Sequence, residues 1–193
     1  MQRITYDELI DNREYVAGRD RIRRDMMAYK NARRVQLGDL VSILFENHRT
    51  LWYQTQEMLR AEHITERTLR QRELDVYNEM IPEGLALAAT LFIEIPDSSQ
   101  IPAVLERLTG AEEHVVLIID GQRFACEAEP GRSTDDKTSS IHYLTIPLGA
   151  RGLKALEAAG TVEMAVEHDR YQARSVVSGE TVRELIADLR ETS

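Results

Sequence analysis

Apolar residues in the first 82 positions recur mostly at helical spacing. Thr5 and Glu8 have the separation of a capping box, so a helix is predicted to start near Tyr6. The short apolar run that follows Gly38 is instead typical of a strand. Pro82 cannot continue a helix and closes this part of the chain. The predicted elements are helices from near Tyr6 and over 19–34, 51–64 and 66–80, with one strand over 40–45.

After residue 82 the pattern alternates between strand and helix periodicity. Asp120-Gly121 lies between two apolar runs and is a strong hairpin signal. Thr181 and Glu184 form a capping box at the start of the last helix. The predicted elements are strands over 87–95, 115–119, 123–128, 141–147, 162–167 and 171–177, with helices after Ser98, over 150–159 and at the C-terminal end. The order is therefore strand–helix–strand–strand, twice, followed by a terminal helix.

These elements predict an α+β fold in which helices pack on one face of an antiparallel sheet. Residues 1–82 are predicted to form a mainly helical part with one short strand, and residues 83–193 an antiparallel α+β domain. The helical part is expected to pack on the sheet domain. The repeated element order lacks a convincing residue-level repeat, so a duplication is suggested by topology alone.

Charge is distributed unevenly along the chain. The 193 residues include 24 Lys+Arg and 33 Asp+Glu, which gives a formal net charge of −9. Residues 1–75 carry 14 basic and 13 acidic side chains, whereas residues 76–193 carry 10 basic and 20 acidic ones. Eight of the basic residues lie within 13–34, which predicts either a solvated helix face or a surface for an anion, a nucleic acid or an acidic protein. The overall negative charge makes nucleic-acid binding the weaker interpretation.

Several classes of protein and site are disfavoured by what the sequence lacks. No apolar run approaches the roughly 20 residues of a membrane span, and the first residues do not resemble a secretory signal, so we expect a cytoplasmic protein. Phosphate-binding glycine loops, the nucleophile elbow and the His-Glu-x-x-His zinc motif are absent from the sequence. The single cysteine, Cys126, alternates with apolar neighbours and predicts a buried, unreactive thiol. The turn-rich stretch 130–140 predicts a mobile loop or a lid over a site.

Two consecutive predicted helices each carry a carboxylate within an apolar face. At 100° per residue, Glu62 falls on the face of Leu51, and Glu73 falls on the face of Val76. Burying an unpaired carboxylate is costly, so each glutamate is expected to have a partner. One alternative is ion pairing with Arg33, Arg34 or Arg72. The other is a shared polar site near Glu46 that binds a metal or performs acid–base work, with Glu62, Glu73, His63 and His48 as the weak metal-ligand candidates.

The segment from Leu44 to Glu62 reads LFENHRTLWYQTQEMLRAE. Together with Arg33-Arg34-Val35 before it and 73–78 and Ile81-Pro82 after it, this segment resembles a bacterial domain-of-unknown-function family, number 3501. The resemblance spans nearly the whole chain and implies no established activity. It makes the polar residues of the motif, with Glu73, candidates for a site or partner surface: Glu46, Asn47, Tyr53, Gln54, Gln56, Glu57, Arg60, Glu62 and Glu73.

Some of these polar residues also have a purely structural interpretation. Asn47 and Thr50 are suited to shape the turn into the helix, and Glu57 and Arg60 are suited to form a local helical pair.

The resemblance further implies a redox or peroxide-stress context, because the family is associated with gene neighbourhoods containing rubrerythrin-like and iron–sulfur proteins. The leading hypothesis is an accessory or binding protein of such a system, a homo-oligomer that contacts protein partners through residues 13–34 and 44–62. The first alternative is a metal- or small-molecule-dependent enzyme that uses inward carboxylates of the 46–73 region. The second alternative is nucleic-acid binding through the 13–34 helix. The sequence identifies no cofactor.

Overall fold

Six α-helices and nine strands are present in a computed structural model that describes residues 1–133 and 138–191. The helices are α1 (Asn12–Ala32), α2 (His48–Ala61), α3 (Arg67–Glu79), α4 (Ile101–Arg107), α5 (Gly149–Glu157) and α6 (Gly179–Arg190). The strands are β1 (Arg34–Leu37), β2 (Val41–Glu46), β3 (Ala86–Ile93), β4 (Val115–Ile119), β5 (Gln122–Ala125), β6 (Glu127–Ala128), β7 (Ile141–Pro147), β8 (Val162–His168) and β9 (Tyr171–Val176). Short 3₁₀ turns occur at Tyr6–Glu8, Ser98–Gln100 and Ala111–His114.

The strands form two sheets in which all pairs are antiparallel. The first sheet has the order β1-β2-β3-β7-β6, and the second has the order β5-β4-β8-β9. The predicted α+β class is confirmed. The predicted order of two strand–helix–strand–strand units is also present, as β3-α4-β4-β5 and β7-α5-β8-β9. The single strand predicted over 123–128 is instead divided, with β5 in the second sheet and β6 at the edge of the first. Corresponding strands of the two units pair with each other, β3 with β7 and β4 with β8.

The main hydrophobic core lies between the inward faces of the two sheets. Alternate residues such as Ile43 and Phe45 on β2 and Leu117 on β4 are fully buried in it, as the period of two in a strand requires. Helices α4, α5 and α6 add apolar side chains to the same core. The opposite face of the first sheet is covered by α2 and α3, whose Leu51 and Leu74 belong to a second core.

The first 46 residues differ from the prediction in three places. The capping box at Thr5 and Glu8 forms, but only the single 3₁₀ turn Tyr6–Glu8 follows it. The helix predicted over 19–34 begins earlier, after the cap residue Asp11, and ends at Ala32. Strand β1 follows at once, so residues 34–46 form a hairpin and not a single strand. The prediction missed β1 because its alternation is only four residues long and continues a charged helix.

The turn between β1 and β2 joins the two sheets. Gly38 has a φ of 66°, and a Cβ there would lie 2.6 Å from the hydroxyl oxygen of Tyr171 on β9. This close approach lets the Tyr171 hydroxyl donate to the carbonyl of Leu37 and accept from the amide of Leu40. A side chain at position 38 would break these contacts, which accounts for the glycine.

The first sheet contains strands from both sides of residue 82. Strand β2 pairs along its whole length with β3, from Val41 opposite Ile93 to Glu46 opposite Ala88. Hydrogen bonding is therefore continuous across the predicted division of the chain. Among residues 1–133 and 138–191, no helix combines the length and apolar character needed to cross a membrane.

Candidate functional site

The start of the motif segment builds a helix cap. The side chain of Asn47 accepts from the amide of Thr50 at 3.1 Å, and the Thr50 hydroxyl accepts from the amide of Asn47 at 2.8 Å. These reciprocal bonds satisfy two backbone donors at the start of α2. Asn47 and Thr50 therefore have the turn-shaping role that the structural interpretation predicted.

Asn47 also belongs to a buried polar network that joins three helices. Its side-chain nitrogen Nδ2 donates to the Tyr29 hydroxyl of α1 at 2.6 Å and to a carboxylate oxygen of Asp188 on α6 at 3.0 Å. The fully buried guanidinium of Arg33 pairs with Asp188 and donates to the Phe45 carbonyl at 2.9 Å. Burial raises the pKa of Asp188, while the Arg33 charge opposes this shift. The network fixes the ends of α1, α2 and α6 against one another.

Glu57 is an ion-paired carboxylate and not a free base. Arg19 donates to it through Nε and Nη2, both at 2.8 Å, and Tyr15 donates through its hydroxyl at 2.7 Å. Arg60 contributes the predicted local pair at 3.3 Å. The Arg19 hydrogen bonds hold the pKa of Glu57 at about 2, because they stabilise the ionised form. Glu57 is thus a fixed anion that ties α1 to α2.

Three further motif residues lie on α2, and two of them contact α1 or the segment just before it. Tyr53 is buried and has the Lys30 ammonium 5.6 Å from its ring centre. Gln56 is fully buried and donates weakly to the Ile10 carbonyl at 3.4 Å. One side-chain oxygen each of Gln54 and Gln56 is buried without a hydrogen-bond partner in the described parts of the chain.

The predicted inward position of Glu62 is wrong, and that of Glu73 is partly right. Helix α2 ends at Ala61, so Glu62 is an exposed C-cap residue. Glu73 is half-buried, and its pKa is raised chiefly by burial and then by the charge of Glu62. The two carboxylates are thus close enough to interact, but neither has an ion pair within residues 1–133 and 138–191.

The arginines and histidines suggested as neighbours of these glutamates have other roles. Arg33 pairs with Asp188, and Arg34 pairs with Glu94 at 3.2 Å. His48 contacts the carboxylate of Glu8 at 2.8 Å. His63 is exposed, with a φ of 55°. Across the described ranges, no three His, Cys, Asp or Glu side chains gather into a group that could hold a metal ion, so the predicted metal-ligand set is not assembled.

A groove with a volume of about 390 Å³ lies on the outer face of the first sheet. Residues of α3 between Val76 and Met80 form one wall, and residues of the segment 127–132 form the other. Ala88 of β3 and Tyr143 of β7 form its floor. We call this feature the tyrosine groove, because Tyr77 and Tyr143 both line it.

Buried acidic groups adjoin one side of the tyrosine groove. The pKa of Tyr77 is raised to about 12, mainly by burial and then by the charge of Glu73 and by Tyr143, with smaller effects of Glu62 and Glu46. One carboxylate oxygen of Glu46 accepts from Thr90 at 2.8 Å, and the other is buried with no hydrogen-bond partner among the described residues. The groove therefore has a negative potential on its α3 side.

An arginine of the chain lies at the opposite side of the groove. The Arg132 guanidinium carbon is 4.0 Å from the ring centre of Tyr143, and Arg132 Nε donates to Glu129 Oε2 at 2.5 Å. The Glu129 amide in turn donates to the Tyr143 carbonyl at 2.9 Å, which aligns this segment with β7. This site was not predicted from the sequence, because α3, the segment 127–132 and β7 are distant along the chain and come together only when the sheet forms. The one local signal that could have found it is the alternation along 141–147, which turns Tyr143 to the face opposite that of Leu144.

The basic residues of α1 divide between paired and exposed positions. Arg19 and the residue that caps the end of the helix, Arg33, are held in ion pairs. Other arginines of the helix face solvent, among them Arg13, Arg21, Arg23 and Arg24. These exposed arginines form the solvated helix face that was predicted. Their use as a contact surface stays a prediction.

Comparisons with known proteins confirm the resemblance over nearly the whole chain. A family model described as "Protein of unknown function (DUF3501)" matches residues 3–189. The fold is also similar to a crystal structure of a novel protein of unknown function from Burkholderia pseudomallei K96243, with a TM-score of 0.89 and 31% sequence identity. That match covers 97% of this chain and 99% of the other. No curated protein matches the sequence.

Proposed function

This chain belongs to the DUF3501 family, and from that premise we propose that it is a non-enzymatic binding protein that serves a bacterial redox system. Its binding site in this proposal is the tyrosine groove. The protein partner is an iron–sulfur or rubrerythrin-like protein, as the gene neighbourhoods of the family suggest. We further propose that the chain acts as a homo-oligomer, which its mass in solution will test.

The observation that carries this proposal is the lining of the groove. Two tyrosines, the aliphatic side chains of Val76 and Met80, and several carboxylates surround an open concavity. Aromatic and aliphatic surface with a few polar groups is typical of binding sites. The motif residues most suited to chemistry are already engaged, since Glu57 is held by arginines and Asn47 caps a helix.

The single thiol supports an accessory role over direct thiol chemistry. Cys126 is buried, and burial raises the pKa of its thiol to about 12. A thiol that stays protonated at neutral pH is a poor nucleophile and a poor redox partner. Electron transfer in such a system would then belong to the partner, and this chain would supply recognition.

Co-expression with the neighbouring iron–sulfur or rubrerythrin-like protein tests the proposal. Val76 on the groove wall is 56% exposed and Val176 on β9 is 66% exposed, so Val76→Asp and Val176→Asp form a matched pair. We expect the wild type and Val176→Asp to retain the partner on purification, and Val76→Asp to lose it. Absence of a complex with the wild type, or equal retention by both variants, would contradict the proposal.

A small-molecule- or metal-dependent enzyme is the second candidate, and Glu73 favours it. Glu73 is half-buried and lies one helical turn from Tyr77, and its raised pKa suits a general acid or base. Stoichiometric iron, zinc or manganese in protein purified without chelator, lost in Glu73→Gln, would support the enzyme. Retention of the same metal content by Glu73→Gln would count against a role of this carboxylate as ligand.

A further inference from the structure

We infer that the tyrosine groove receives an arginine side chain from a basic segment of a partner protein, in the position that Arg132 occupies in the free chain. This inference rests on the proposed function and names the chemistry of its partner. The groove itself displays how a guanidinium is held there. The planar guanidinium of Arg132 stacks on the ring of Tyr143, and its charge is paired with the carboxylate of Glu129.

The charge of the groove favours a cationic occupant. Three glutamates line it, Glu79, Glu127 and Glu129, against Arg132 as the one basic lining residue in the described ranges. Glu73 lies beyond Tyr77 and adds a further negative charge nearby. A partner that brings one or two positive charges would therefore balance the site, whereas an acidic partner would be repelled.

The apolar part of the groove favours a peptide segment over a small cation. Val76 is 56% exposed on the wall, and Met80 and Ala88 continue the apolar surface toward the floor. A lone guanidinium would leave this surface in water. An arginine flanked by aliphatic residues would cover it, and apolar burial would add to the charge pairing.

Arg132 is suited to leave its place when a partner arrives. Its side chain is 34% exposed, and that of Glu129 is 51% exposed, so their ion pair is open to solvent and is weak. An incoming arginine can replace the contacts that Arg132 makes with Tyr143 and Glu129. Arg132 then acts as an internal competitor that lowers the affinity for the partner segment.

Titration with two synthetic tetrapeptides tests this inference. One alternates arginine and leucine, and the other has citrulline, a neutral isostere, at each arginine position. Binding to the full chain is measured by isothermal calorimetry at low salt. We expect the arginine peptide to bind at least about threefold more tightly than the citrulline peptide, as a cation–π contact and one ion pair require.

Two variants separate the role of Arg132 from a general charge effect. Arg132→Gln should bind the arginine peptide more tightly than the wild type, because the competitor is gone. Arg174→Gln is the matched control, since Arg174 forms an exposed ion pair with Glu163 on the second sheet. Both variants remove one positive charge, so an equal gain in both would overturn the inference. Tyr143→Leu should weaken binding of the arginine peptide in either background.

The remaining outcomes are also decisive. Equal binding of the citrulline and arginine peptides would overturn the guanidinium specificity. Binding of arginine amide as tight as that of the peptide would show that the flanking apolar residues contribute nothing, and would overturn the recognition of an arginine within a peptide segment. Either result leaves the proposed function intact if Val76→Asp still loses the co-expressed partner. Retention of the partner by Val76→Asp would instead refute the proposed function itself.

Discussion

Replacing Arg33 by methionine should cost this protein a large part of its stability. The Arg33 guanidinium is fully buried, pairs with Asp188 and Glu184, and donates to the Phe45 carbonyl. Arg33→Met removes this charge from beside the mostly buried carboxylate of Asp188. Breaking a buried pair in this way costs about 3–5 kcal/mol, and native domains have only about 5–15 kcal/mol in total. We therefore expect a loss of about 4 kcal/mol.

Urea unfolding followed by the fluorescence of Trp52, the single tryptophan, measures this loss. The double variant Arg33→Met/Asp188→Leu should be more stable than Arg33→Met, because it removes both charges of the pair. Arg190→Gln is the control, since Arg190 pairs with Glu157 while its side chain is 66% exposed, and it should shift the unfolding midpoint little. A loss below about 1 kcal/mol in Arg33→Met, or a double variant no better than the single, would refute the reasoning.

Three further predictions follow from the ionisable side chains. The folded-state pKa of Glu57 is about 2, below its ordinary value of 4.5, so its stabilising effect is present above about pH 4.5 and is lost as the pH falls toward 2. The urea midpoint of Glu57→Gln should accordingly vary less over that range than that of the wild type, and equal slopes would contradict this. The pKa of Glu73 is raised instead, so Glu73→Gln should be more stable than the wild type at pH 7, with a gain that disappears below about pH 4.5. A gain independent of pH would show that ionisation is not its cause. Iodoacetamide at pH 8 should modify Cys126 at least about 100-fold more slowly in the native protein than in urea, because the buried thiol stays protonated, and comparable rates would contradict its burial.

Local sequence signals predicted the second half of the fold well. The Asp120-Gly121 hairpin and the alternating strands each act within a few residues, so their outcome is visible in the sequence. The capping box predicted at Thr181 and Glu184 is wrong, because the last helix begins earlier and is capped by Ser178. The predicted order of strands and helices after residue 82 is present in the structure, except that the strand predicted over 123–128 is divided into β5 and β6. The pairing of β3 with β7 and the separation into two sheets depend on contacts between distant segments, which periodicity does not encode.

The candidate site was harder to predict, for two physical reasons. The prediction extended helix α2 to residue 64 and so placed Glu62 on its apolar face. The helix ends at Ala61, and Glu62 is exposed. The tyrosine groove joins residues from α3, the segment 127–132 and β7. More than 40 residues of sequence separate the end of α3 from residue 127, so local patterns do not reveal that they meet. The motif segment carried the family resemblance, but its strongest polar contacts, at Asn47 and Glu57, secure helices to one another.

Hydrogen–deuterium exchange on the full chain, alone and with the co-purified partner, tests the central claim that the tyrosine groove is the binding site. Peptides covering 76–80 and 127–132 should exchange more slowly in the complex, because the partner covers both walls of the groove. Peptides from α1 should exchange at the same rate in both samples. Protection confined to α1, with the groove unchanged, would contradict the account.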